Sequence, residues 1–109
     1  MSITPTRVFF GGFELSDDPP SLSCDGRLVG LCRDDTRLLW LLVARRDGAP
    51  VPRRELLGAM SAELGDRAPA FDLLARVALI NQVLQSSSAH YVAHLPGRGY
   101  RFVGPVRTG

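Results

Sequence analysis

Lysine is absent from the 109 residues, and all 13 basic side chains are arginine. An arginine-only set suits planar, bidentate contacts to phosphate or guanine, although a GC-rich genome accounts for it without any function. Cysteine is nearly as scarce. Cys24 and Cys32 are too few for a disulfide framework and their spacing fits no zinc pattern, so reduced thiols without a role are expected. The longest strongly apolar run, Leu38-Leu39-Trp40-Leu41-Leu42-Val43-Ala44, is too short to cross a bilayer. The first residues lack the basic and then apolar segments of an export signal, and a cytoplasmic protein is expected.

Catalytic and ligand-holding patterns are missing too. No Ser, Cys or carboxylate stands in a recognisable catalytic arrangement, so no enzyme is read, and no cofactor or metal is expected. His90 and His94 are four apart, which on a helix is metal-ligand spacing. Along a strand, at about 3.3 Å per residue, they lie roughly 13 Å apart and cannot share an ion. Gly97-Arg98-Gly99 superficially suggests a phosphate cradle, but a nucleotide loop runs from strand into helix and this one runs from strand into strand.

What is present fits one domain over residues 1–109, because a chain of this length with 45% hydrophobic residues can bury one modest core. The net charge of +2 hides a polarity: residues 1–66 carry 8 arginines against 10 acids, and residues 67–109 carry 5 against 1. Such a distribution presents a basic end to a polyanion.

Along the chain, Arg7 to Leu15 reads as a strand with a glycine kink, followed by a polar Ser16-Asp17-Asp18-Pro19-Pro20 turn. Ser21 to Cys24 and Arg27 to Leu31 form two short strands around Asp25-Gly26, a strong hairpin signal. A first helix over about 34–46, capped by Asp34 or Asp35, is largely apolar and stops at Arg45-Arg46-Asp47-Gly48. A second runs from Pro52 to about Met60, with Leu56, Leu57 and Met60 at core spacing. The third, about Ala70 to Gln85, carries Leu73, Val77, Ile80 and Leu84 as an inward stripe. Two alternating runs then flank Pro96-Gly97-Arg98-Gly99, whose glycines permit the reversal and leave Arg98 outward at the tip.

This order of sheet, three helices and terminal hairpin resembles the OmpR/PhoB-type transcriptional regulatory domain over about residues 7–103. The likeness rests on Phe13-Glu14-Leu15, Asp25-Gly26 before Leu31, and the Leu38-Leu39 and Leu41-Leu42 pairs. It continues through Asp47-Gly48 with Val51, Arg53 and Leu56-Leu57, and ends at Gly97-Arg98-Gly99-Tyr100-Arg101-Phe102. The fold class implied is α+β, a winged helix-turn-helix: an N-terminal antiparallel sheet, three helices and a C-terminal β-hairpin wing. The resemblance further implies a response regulator output domain of two-component signalling. Its third helix would enter the major groove of double-stranded DNA, its second would cross the backbone, and its wing would touch the minor groove. The pattern departs from the family where a basic Leu-Arg-Arg-like stretch reads Ile80-Asn81-Gln82-Val83-Leu84, and where Ser61 replaces a tryptophan.

On that basis the candidate DNA-binding residues are Arg98 at the wing, Arg53 and Arg54 at the start of the second helix, and Arg76, Asn81 and Gln82 on the third. Asn and Gln pair bidentately with adenine and Arg with guanine, while arginines at a helix start suit phosphate. Arg76 is read as balanced by Asp72, and Tyr100 and Arg101 as hairpin support. Leu74 and Leu79 lie off the inward stripe, which supports an alternative: a winged-helix protein–protein module, or a homodimer joined through those leucines, with most DNA affinity lost.

Overall fold

The computed structural model describes residues 7–17, 20–66, 71–84 and 91–108. The chain opens with strands β1 (Arg7–Phe10), β2 (Phe13–Asp17), β3 (Pro20–Cys24) and β4 (Arg27–Leu28). The kinked single strand expected over Arg7 to Leu15 is instead a hairpin: Phe10 faces Phe13 across a two-residue Gly11-Gly12 turn, and Gly11 has φ +55°. Gly-Gly between apolar runs is itself a two-residue hairpin signal, here outweighed by the length of the run. β2 extends to Asp17, and Asp18 and Pro19 of the expected turn lie outside the described residues. Asp25 and Gly26 both take positive φ, at +52° and +84°, as a type I′ turn between β3 and β4 requires.

Helices α1 (Arg33–Ala44), α2 (Arg53–Leu64) and α3 (Leu73–Leu84) follow. α1 begins after Cys32 with no side-chain cap, and Asp34 and Asp35 sit inside its first turn, so neither is the expected cap. The extended cap position is taken by Cys32, and Asp35, already helical, turns its side chain into the core beside Leu38, Leu39 and Leu42. α2 runs a turn beyond the expected Met60 to bury Leu64, and Gly65 at φ +54° ends it. α3 starts later than expected: Asp72 Oδ1 accepts the Ala75 N–H at 3.2 Å, a capping bond that sets its first turn. Ala70 and Gln85, the expected ends, lie outside the described residues.

The hairpin β5 (Val92–Leu95) and β6 (Gly99–Phe102) closes on the helices. β7 (Arg107–Thr108) then pairs with β1, giving a first sheet of order β4-β3-β2-β1-β7. The sheet's apolar face, from Val8, Phe10, Leu15 and Leu22, packs into one core with Leu38, Leu39, Met60, Ile80, Leu84 and Phe102. Aromatic rings weld sheet to hairpin. Phe10 meets Phe102 edge-on at 5.0 Å between centroids, and Tyr91 stacks on Phe102 at 5.9 Å, geometries favoured by the ring quadrupole.

Candidate nucleic-acid interface

The wing tip is built by one turn bond and one close approach. The Arg98 N–H donates to the Leu95 carbonyl at 2.9 Å, closing the reversal. At its base, Val51 and Tyr100 exchange both backbone hydrogen bonds, at 2.8 and 2.9 Å, so a single antiparallel bridge ties the connection between α1 and α2 to the hairpin. Gly99 sits against this bridge at φ +129°, where a Cβ would lie 2.2 Å from the Val51 carbonyl oxygen. Glycine is therefore required there by both dihedral and space. The His94 ring stacks on Tyr100, 4.7 Å between centroids. Burial pushes the Tyr100 hydroxyl pKa upward, opposed by the nearby Arg53 charge.

This bracing brings the wing beside the head of α2. Pro52, Arg53, His94, Arg98 and Tyr100 line a shared cleft of about 220 Å³, which places two of the expected residues together. Arg54 follows Arg53 at the exposed start of α2, where the helix dipole is positive. Among the described residues, none of these three arginines has an ion-pair partner.

The three expected residues on α3 fare differently. Asn81 is not available to a base edge in this arrangement: its amide donates to the Val92 carbonyl at 2.8 Å and its oxygen accepts the Val92 N–H at 2.9 Å. Arg76 is held through Nη1 to Asp35 Oδ2 at 3.3 Å, so its partner is Asp35 on α1 rather than Asp72. Asp35 is buried, its other carboxylate oxygen has no partner among the described residues, and burial pushes its pKa up against the opposing effects of Cys32 and Arg76. Gln82 is exposed. Leu74 and Leu79 are 54% and 36% exposed, but five residues at about 100° each set them about 140° apart around α3. Leu74 borders an open, apolar groove of about 520 Å³ between α3 and β5, with Ala78, Gln82, Ala93 and His94.

Among the described residues, no group of His, Cys, Asp and Glu could hold a metal ion. His90 lies outside those residues, His94 is exposed on the wing, and Cys24 and Cys32 are free thiols. No described helix is long and apolar enough to cross a membrane.

Solved structures share this arrangement along nearly the whole chain. The DNA-binding domain of Escherichia coli CadC superposes with a TM-score of 0.66 at 20% identity, covering 99% of this chain and 100% of that one. The DNA-binding domain of E. coli CpxR gives 0.69 at 24% identity, over 90% and 96% of the two chains. The fold is that of the OmpR/PhoB-type effector domain. A third effector domain of this fold, the DNA-binding domain of Klebsiella pneumoniae RstA in complex with the RstA box, gives 0.64 at 17% identity over 88% and 95%. No protein-family model matches the sequence, and no curated protein matches it. At these identities the likeness to effector domains is one of fold.

Proposed function

We propose that this chain is the DNA-binding domain of a cytoplasmic transcriptional regulator, an output domain of the response-regulator kind and without enzymatic activity. Residues 1–109 act as one domain. α3 lies in the major groove, Arg98 reaches the adjacent minor groove or its phosphates, and Arg53 and Arg54 hold phosphate at the head of α2. The observation that carries this reading is the cleft where Arg53 and Arg98, 45 positions apart in sequence, line one surface beside the helix start. The chain's fold neighbours, the DNA-binding domains of CadC and CpxR, supply the second support.

The alternative is a protein–protein interaction or dimerisation module with most DNA affinity lost, in its dimer form two copies joined through Leu74 and Leu79. With these side chains about 140° apart, a partner covering both also covers Ala75 and Ala78 between them, so dimer and major-groove docking exclude each other. Anisotropy titration of labelled random duplex at low salt, with sedimentation at tens of micromolar, separates the two. The DNA reading predicts duplex binding by a monomer, about micromolar or weaker at physiological salt. A dimer that ignores duplex, converted to folded monomer by the Leu74→Glu, Leu79→Glu double substitution, contradicts it.

A further inference from the structure

The exposed face of α3 carries Leu74, Ala75, Ala78, Leu79 and Gln82, with no charged group among them. The helix's sole arginine is drawn toward α1 by Asp35, and its asparagine is spent on Val92. Resting on the DNA-binding reading above, we infer that α3 reads an A·T-rich run by packing methyl groups against thymine, with Gln82 on adenine.

The chemistry of the major groove leaves this as the complementary sequence. Guanine is specified there chiefly by a bidentate Arg or Lys on O6 and N7, and cytosine by an acidic acceptor on its N4 amine. Neither side chain stands on this face. Alanine and leucine pressed onto a G·C pair cover polar base edges and return no hydrogen bond, which costs free energy. Thymine instead presents its C5-methyl, and adenine presents the N6/N7 pair that a glutamine amide matches. From Ala75 to Gln82 the helix rises about 10 Å at about 1.5 Å per residue. That matches about three base pairs at about 3.4 Å each, a short run with Gln82 at one end.

The test is a selection of the 109-residue chain on random duplex, followed by replacement of each thymine in the selected site by uracil, which deletes the 5-methyl alone. The inference predicts a run of A·T pairs in the site, and a loss of about 4-fold in affinity for each methyl that packs on α3. Gln82→Ala should relax the preference at one adenine, while Arg98→Ala should weaken thymine and uracil duplexes by the same factor. A site specified by G·C pairs, or an A·T site indifferent to uracil, overturns the inference while leaving DNA binding intact; in the second case groove shape makes the choice. Absence of duplex binding at low salt overturns the DNA-binding reading and this inference with it.

Discussion

The side chain of Asn81 pairs with the backbone of Val92 as a neighbouring strand would, giving one hydrogen bond and taking another at 2.8 and 2.9 Å. Through that pair α3 and the wing are held in fixed relation, which matters if both contact one duplex. Asn81→Ala leaves the Val92 N–H and carbonyl half-buried without partners and should cost about 1–3 kcal/mol of stability in urea unfolding. Unchanged stability, with base preference lost at one position, would return Asn81 to the DNA surface.

Gly99 and Gly97 both have positive φ, at +129° and +78°, but only Gly99 abuts another segment. Gly97→Ala meets open space and should cost about 1 kcal/mol for its dihedral alone. Gly99→Ala must also displace Val51, and the combined strain and overlap should cost about 3 kcal/mol or more. Thermal unfolding of the two variants checks the order. Equal costs would mean that the bridge between Val51 and Tyr100 does not hold in solution.

Arg76→Leu strands the buried Asp35 carboxylate. Because the Arg76 side chain is 40% exposed, solvent screens the pair, and the loss at pH 7 should be about 1–2 kcal/mol. Burial raises the Asp35 pKa in the folded chain, so the folded state holds this proton more tightly than the unfolded one. Its contribution to stability is then greatest below the unfolded carboxylate pKa, about 3.9, and falls as pH rises through the folded value. The deficit of Arg76→Leu should shrink as the pH is lowered and Asp35 becomes neutral. A deficit independent of pH would assign the loss to packing of the arginine stem.

Local signals carried much of this fold. Asp25-Gly26 and Gly97-Arg98-Gly99 announce their turns, and the stripe of Leu73, Val77, Ile80 and Leu84 is buried as its spacing requires. β7 was not legible, because a two-residue strand has no periodicity and forms only by meeting β1 at the far end of the chain. The extra turn of α2 did have a signal, since Leu64 follows Met60 by four residues and Gly65 follows Leu64. At the candidate site the partners are distant in sequence: Arg76 meets Asp35 across 41 positions. Asn81 meets a backbone, which no side-chain pattern records. What the residues could contact was readable, and what they already contact was not.

Arg98→Ala should weaken duplex binding by about 1–3 kcal/mol and leave unfolding nearly unchanged, since the tip side chain is exposed. Arg53→Ala should act similarly, and although both line one cleft, arginines on separate phosphates should make the loss of the double variant close to the sum of the two single losses. A double loss well below that sum in titrations at fixed salt would place both arginines on one phosphate.

The most direct measurement is the affinity for random duplex between about 50 and 200 mM salt, the range over which phosphate contacts are exposed. If Arg53, Arg54 and Arg98 each neutralise one phosphate, log affinity should fall against log salt with a slope of about −3, and Arg98→Ala should flatten it by about 1. A slope near zero, or one unmoved by Arg98→Ala, would contradict the arginine-lined wing and helix head as the DNA-binding surface.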